Sequence, residues 1–438
     1  MRKIKIGVIG TRRGRSMIRY CKFAENAELV AICDKYEEGL KRQQAENEEL
    51  NITYYTDYDA FLKHDMDAVV LANYATEHAE FAIKAMKAGK HVYSEVLPVQ
   101  TMKQAVELIE TVEATGLTYA YAENYCYMAA PSEMRRLYRE GKIGEFEYGE
   151  CEYVHNCESK WPELTLGDPN HWRNNMFATF YCTHSIGPLI HITGLRPVSV
   201  TGFEGLKTER NLRDGAKGAQ FGIEMITLEN GGIIKSVHGF LYRDSVWYSM
   251  YGSKGRMESA REDAAFFNKP EEGVDRIYIN ADDYSGQYKE LDIQTYLPRE
   301  GDKAVANGFG HGGSDYYAVY NFVEKLLSNE KAEIIDVYEA MDMFLPGMFA
   351  YRSILKGGIP MEIPNLRDKA VREQYRNDTM CTDPKVAGEM LMPTFSKGTP
   401  EIDDKIYELM KKKWEDEFNG AEEGSYTEQA FSQGSKKE

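Results

Sequence analysis

The sequence predicts an α/β chain with an N-terminal doubly wound parallel sheet and a C-terminal α/β domain built on a large, mostly antiparallel open sheet. Three observations carry this. Strand-like and helix-like segments alternate from residue 1 to about 124. The first strand ends in a glycine-rich turn that opens a helix. Beyond Asn124 the alternation stops, and strand-like runs follow one another through the hairpin-like turns NGG (230–232) and GSKG (252–255). We expect three segments: 1–124, 125–365, and an extension over 366–438 whose end is loosely attached. A length of 438 residues suits two domains better than one.

In chain order, KIKIGVIG (3–10) reads as a buried strand, SMIRYCKFA as a helix, and ELVAICD (28–34) as a second strand ending in an acid. Residues 36–48 are helical, and a short helix precedes a strand at 68–73. A helix over 77–90 ends at glycine, HVYSE is a strand, TMKQAVELIETVEATG is a capped helix, and LTYAYAEN (117–124) is the next strand. A helix within 132–145 follows, then the alternating strand FEYGECEYVHN. Further strands are expected at 197–203, 219–229, 232–240, 246–252 and 276–279, with helices at 316–328 and 336–357. From about 365 no clear periodicity remains. In the run YCTHSIGPLIHI, Gly187 and Pro188 read as a turn before an apolar helix.

The turn Gly10, Thr11, Arg12, Arg13, Gly14, Arg15 has the context of a dinucleotide site: strand before, helix after, and Asp34 closing the second strand. A helix N-terminus offers unsatisfied N–H groups to a pyrophosphate. An acid at Asp34 would bind the adenosine ribose and repel a 2′-phosphate, which favours NAD over NADP; Lys35 argues mildly the other way. Arg12 stands where the usual fingerprint has a glycine, so its side chain must turn away or touch the cofactor.

Bulk properties narrow the partners. The formal net charge of −17 disfavours nucleic acid and anionic membranes. No apolar run reaches membrane-spanning length, and MRKIKIGVIG enters a strand directly, so neither a membrane span nor a signal peptide is expected. The seven cysteines are odd in number and lack CxxC spacing, which fits free thiols and a cytoplasmic setting. No cluster has metal-ligand spacing, so no metal is expected.

With these residues assembled, the chain resembles the Gfo/Idh/MocA oxidoreductase family over roughly residues 3–360. The matching segments are IGVIG…RGRS, ICD (32–34), EHAEFAIKAMKAGKHVYSE (77–95), GKIGE (141–145) and HWR (171–173). The resemblance implies a Rossmann domain, NAD, and a substrate domain whose sheet supports dimers or tetramers. Two departures matter. Dehydrogenase members carry Glu-Lys-Pro where this chain has SEVLP (94–98), so Val96 replaces the lysine. They also carry an aspartate four residues before the histidine, where this chain has Phe180 before His184.

Those differences are similar to the NAD-dependent glycosidases of glycoside hydrolase family 109, which carry Glu-Val-Pro and a Tyr-x-Thr-His-x-x-Gly-Pro run. Tyr181, Thr183, His184, Gly187 and Pro188 keep that register; AENYCY (122–127) and GHGGSD (310–315) are similar too. The resemblance implies redox-assisted glycoside hydrolysis: a transient 3-keto sugar, elimination, water addition and re-reduction, with NAD recycled. Tyr181, His184 and Glu123 are the expected catalytic groups. A histidine titrates near neutrality, and Glu123 ends a parallel strand, where such sheets place ligands. The sequence leaves open which of Tyr181 and His184 serves C2 and which C3. Asn73, His78, Glu95 and Asn124 are expected at the cofactor, and Tyr125, His155, Trp172, Arg173 and His311 at a small glycoside or sugar. The competing readings are an ordinary NAD-dependent sugar or cyclitol dehydrogenase and a non-catalytic NAD-binding regulator.

Overall fold

The computed structural model describes residues 2–261, 276–281, 287–290 and 309–420. The N-terminal alternation forms a six-stranded, wholly parallel sheet: β1 (Ile4–Ile9), β2 (Ala27–Cys33), β3 (Thr53–Tyr55), β4 (Ala68–Leu71), β5 (His91–Ser94) and β6 (Tyr119–Tyr121). Its order is β3-β2-β1-β4-β5-β6, so the strand order reverses between β1 and β4. In such sheets ligands bind at this switch point, beyond the carboxyl ends of the strands. β3 was not expected; TYY is too short to show a period, and it lies at the sheet edge. The helix Met102–Thr115 starts at a capping box, Thr101 with Gln104, and closes on Gly116 at φ 62°.

The described residues divide into two compact units: those of Met1–Tyr127, Ala304–Met341 and Asn365–Thr379, and those of Met128–Lys303, Asp342–Pro364 and Met380–Glu438. The units interleave along the chain, whereas the sequence reading set consecutive segments at 1–124, 125–365 and 366–438. The physical reason in the first unit is the helix Ser314–Leu326. Its Tyr316 ring lies 5.3 Å from Tyr20, and its Phe322 ring 5.5 Å from Tyr93. Its apolar side completes the core over β1 and the helix Arg15–Phe23.

The second unit holds a nine-stranded sheet: β7 (Phe146–Val154), β8 (Pro197–Glu204), β9 (Phe221–Leu228), β10 (Ile233–Gly239), β11 (Ser245–Gly252), β12 (Gly255–Ser259), β13 (Arg276–Ala281), β14 (Gln287–Glu290) and β15 (Met361–Glu362). The order is β14-β13-β12-β11-β7-β10-β9-β8-β15, antiparallel except for β7 against β10. The NGG and GSKG turns make the expected β9–β10 and β11–β12 hairpins. The short strands β12, β14 and β15 went unread. The helix Thr183–Thr193 lies on one face of the sheet, where Gly149 of β7 admits it: a Cβ there would stand 2.9 Å from Leu189 Cδ1.

Two expectations are corrected. Gly187 and Pro188 form no turn; both lie inside the helix Thr183–Thr193. Proline there leaves the carbonyl of His184, four residues back, without its helical donor. The Tyr248 hydroxyl donates to that carbonyl instead, at 2.6 Å. Beyond 365, regular structure continues in the helices Lys369–Tyr375 and Asp404–Gly420. The latter buries only a thin stripe, including Tyr407 and Met410, and Tyr407 donates to the Gly215 carbonyl at 3.0 Å. So narrow a stripe leaves little periodicity in the sequence. The run from Ala421 onward, expected to be loose, lies outside the described residues.

Candidate functional site

The glycine turn at the end of β1 is set by steric need. Gly10 has φ 98°, and a Cβ there would stand 2.3 Å from the Ala72 carbonyl oxygen. A Cβ on Gly14 would stand 2.2 Å from the Gly10 carbonyl oxygen. The helix Arg15–Phe23 therefore starts with its N–H groups close behind the turn, with no acidic residue in its first turn and no side-chain cap. Arg12 turns its side chain outward. Asp34 is fixed by the same turn: its Oδ2 accepts from Thr11 N and Oγ1, both at 2.7 Å, and its Oδ1 from Tyr36 N at 2.9 Å. A carboxylate has about four acceptor positions, so capacity for ribose hydroxyls remains. These features fit a dinucleotide.

Next to the turn, one buried carboxylate gathers four donors. Arg13 donates to both oxygens of Asp315, at 2.7 and 2.9 Å. Ser16 Oγ and Asn124 Nδ2 donate to the same carboxylate at 3.0 and 2.8 Å, and His311 Nδ1 lies 3.2 Å away. Burial alone would raise Asp315, but Arg13 and then His311 outweigh it and hold the carboxyl well below its usual range. Arg13 also approaches Glu95 Oε1 at 2.9 Å, out of hydrogen-bonding alignment. For Glu95, burial wins over Arg13 and its pKa is raised.

The other expected residues of this unit are spread around the cluster. Asn73 donates to Glu77, at 3.1 Å. His78 is buried between two carbonyls, Leu97 at 2.8 Å and Asn73 at 3.3 Å, and burial lowers its pKa. Glu123 is buried and accepts from Tyr125 N at 3.3 Å. The Tyr125 ring lies 5.9 Å from His311. Arg15 instead pairs with Glu46 at the surface, at 2.8 Å.

In the second unit the expected pair does meet. The Tyr181 and His184 rings lie 5.1 Å apart, edge to face. Trp172 lies 6.0 Å from Tyr181, and the Arg173 guanidinium sits 4.4 Å from the Trp172 ring and 5.0 Å from the Tyr181 ring. His155 is further along, its ring 6.1 Å from Tyr153. Phe180, in place of the dehydrogenase aspartate, is buried among aromatic rings, 5.1 Å from Phe177 and 5.6 Å from Phe344.

Sequence reasoning missed three residues here. Tyr153 of β7 lies 4.7 Å from the His184 ring and 6.1 Å from Tyr181. His238 of β10 is its register partner. Glu224 of β9 lies behind, its Oε1 3.3 Å from His238 Nδ1. The pair is buried to within 2% exposure, yet neither side chain makes an aligned hydrogen bond. Tyr153, Arg173, Phe177, Tyr181, His238 and Phe240 line one cavity. The alternation of β7 puts Tyr153 on an inward face but says nothing about which strand lies beside it. In the first unit, Asp315 was missed for the same reason: its partner Arg13 is remote in sequence.

Two family models match the chain. Residues 4–123 match the oxidoreductase family, NAD-binding Rossmann fold, and residues 245–371 match the glycosyl hydrolase 109 C-terminal domain. The chain joins a Gfo/Idh/MocA NAD-binding domain to a glycosyl hydrolase 109 C-terminal domain. A glycosyl hydrolase family 109 protein of Solibacter usitatus is 25% identical over 399 residues, covering 83% of this chain and 88% of that one. An alpha-N-acetylgalactosaminidase of Tannerella forsythia is 26% identical, covering 83% and 86%. Among solved structures, scyllo-inositol dehydrogenase from Lactobacillus casei with bound NAD(H) and scyllo-inositol aligns with TM-score 0.62 at 17% identity, covering 83% of this chain and 99% of that one. That likeness is one of fold. The cofactor of the family is NAD, and the two domain matches support an enzyme acting on carbohydrate. Among the described residues no helix is long and apolar enough to cross a membrane.

Proposed function

We propose that the protein is an NAD-dependent glycosidase in which the sugar is oxidised and reduced within one catalytic cycle. The observation that carries this reading is the contact of the Tyr181, His184 and Tyr153 rings, two of which, Tyr181 and Tyr153, line one cavity. The glycosyl hydrolase 109 match and the loss of two dehydrogenase residues, to Val96 and Phe180, support it.

The residues that would hold the dinucleotide are the Gly10–Gly14 turn, the first N–H groups of the helix Arg15–Phe23, and Asp34 at the ribose. When bound, NAD supplies reversible uptake of the sugar C3 hydride and is not consumed. The chain's own groups move the protons. His184 accepts the C3 hydroxyl proton, its ring packed against Tyr153 and Tyr181. A C3 ketone acidifies C2–H, and Tyr153 or Tyr181 takes that proton. The C1–O bond then breaks with protonation of the leaving alcohol, and water adds at C1 as a proton returns to C2. Tyr181 and Phe240 offer aromatic surface to a sugar, and Arg173 and His238 offer donors to its hydroxyls.

The test is a panel of aryl glycosides, beginning with an α-N-acetylgalactosaminide because of the Tannerella relative, run in D2O with and without NAD+. Aglycone release that needs NAD+, puts deuterium at C2 and accumulates no NADH supports the reading. NADH formed in proportion to sugar consumed would make the protein a dehydrogenase. Cleavage without NAD+ and with C2–H retained would point to an ordinary carboxylate glycosidase.

A further inference from the structure

The fold gives no use to His238 and Glu224. Their strands, β10 and β9, pair antiparallel, with Ser236 opposite Glu224 and Gly222 opposite His238. Glu224 is buried and His238 is 2% exposed, yet neither carboxylate oxygen nor either ring nitrogen has an aligned partner. The hydroxyl and thiol nearest to Glu224 in register are spent elsewhere. Ser185 Oγ donates to the Cys182 carbonyl at 2.9 Å, so its 2.7 Å bond with Ser236 uses the one Ser236 hydroxyl proton. Cys151 of β7, beside Ser236, directs its thiol at the Lys235 carbonyl, 3.6 Å away. That leaves His238 Nδ1, 3.3 Å from Oε1, as the group facing the carboxylate.

With Nδ1 turned to Glu224, Nε2 has no protein partner. His238 lines the cavity together with Tyr153, Arg173 and Tyr181. On one flank its register partner is Tyr153, whose ring touches those of His184 and Tyr181. On the other flank Gly222 puts no side chain over it. A Cβ on Gly222 would stand 2.7 Å from Thr179 Cγ2 and 2.9 Å from the Ala178 carbonyl oxygen, where the segment leading to Tyr181 packs. The order is thus carboxylate, imidazole, cavity: an acid–base group with a second group behind it that orients the ring. Such bonds are often poorly aligned until substrate binds.

We propose that His238 is the general acid and base at the sugar C1 and that Glu224 positions it; this rests on the redox-assisted reading above. In that cycle His184 serves C3 and a tyrosine serves C2, while the oxygen leaving C1 still needs a proton. As the tyrosine takes the C2 proton, the C2–H electron pair becomes the C1=C2 double bond and the C1–O pair leaves on oxygen. His238 Nε2–H protonates that oxygen, which departs as an alcohol. On the return, Nε2 takes a proton from water as the water oxygen bonds to C1, and the tyrosine returns a proton to C2. His238 ends as it began.

The test uses the full chain with NAD+ in D2O and compares 4-nitrophenyl and methyl glycosides of one sugar, α-N-acetylgalactosamine first and then the others of the panel. His238→Gln should slow methyl glycoside cleavage at least about 100-fold but 4-nitrophenyl glycoside cleavage less than about tenfold, because nitrophenolate leaves without a proton. Uncleaved methyl glycoside recovered from His238→Gln should carry deuterium at C2, since the steps at C3 and C2 still run. Glu224→Gln should show the same split in weaker form. A merely structural role would slow both glycosides alike. Circular dichroism and melting check that each variant folds. In the unaltered protein, aryl glycoside rates should depend only shallowly on the pKa of the leaving phenol, a readout that needs no variant. Equal losses on both glycosides in folded His238→Gln, or a steep dependence on the phenol in the unaltered protein, would overturn the proposal and leave the redox-assisted reading standing. Cleavage by the unaltered protein that needs no NAD+, or no cleavage of any glycoside, would overturn that reading and this proposal with it.

Discussion

Two histidine–carboxylate contacts, each on a buried carboxylate, differ in what surrounds them. In the first unit His311 approaches Asp315 at 3.2 Å, and Asp315 also takes Arg13, Ser16 and Asn124. Every donor aims inward, and the cluster ties the glycine turn to the returning helix Ser314–Leu326. In the second unit His238 approaches Glu224 at 3.3 Å, with no aligned hydrogen bond on either side chain and a cavity in front. A buried polar group left this way costs about 1–3 kcal/mol. The first contact completes a structure; the second leaves polar groups without aligned partners beside a cavity.

The largest effects should come from the Tyr181–His184 pair. His184→Ala and Tyr181→Phe should each lower glycoside turnover by about 10²–10⁴-fold while NAD+ affinity, read by titration calorimetry, stays nearly unchanged. A parallel loss of NAD+ affinity would mean that these residues support the first unit instead.

Removing the shared carboxylate should hurt folding most. Asp315→Ala leaves Arg13 and Asn124 without their acceptor and should cost about 3–5 kcal/mol in urea unfolding. The double change of His238 and Glu224 to leucine should cost less than about 1 kcal/mol or stabilise, because it removes both members of a poorly bonded buried pair. It should still raise KM for the glycoside. A large loss of stability in the double variant would make His238–Glu224 architectural after all.

A half-exposed pair gives an intermediate case with a pH signature. Arg372 donates to both oxygens of Glu113, at 2.8 and 2.6 Å. That bonding, against a smaller effect of burial, lowers Glu113 to about 2. Its folded pKa is below the unfolded value near about 4.3, so the contribution is fully present above that value. It is lost as pH falls toward 2. Glu113→Gln should cost about 1.5–3 kcal/mol at pH 7 and much less at pH 2; an equal cost at both would remove the ionic account.

The smallest effect is expected at the ribose. Asp34→Ala should narrow the preference for NAD+ over NADP+ by about tenfold, the worth of roughly one hydrogen bond. A clear NADP+ preference in the unaltered protein would contradict the role given to Asp34.

What the sequence determined by itself is local. The alternating periods over 1–124 fixed the parallel sheet, since side-chain spacing and caps act within a few residues. The strained turn at Gly10 and the acid at Asp34 were legible because a tight strand-to-helix turn demands a glycine nearby. Tyr181 and His184 were legible as a pair because they stand three positions apart, Tyr181 just before the helix Thr183–Thr193 and His184 in its first turn. Pro188 misled for the same reason that it normally informs: without an N–H it signals a turn, unless a remote donor such as Tyr248 takes the orphaned carbonyl. Tertiary structure alone decided the rest. Arg13 meets Asp315 only because an apolar helix from the chain's latter half completes the first unit's core. Tyr153 meets His238 only because β7 and β10 pair in parallel, through a register that no local preference specifies.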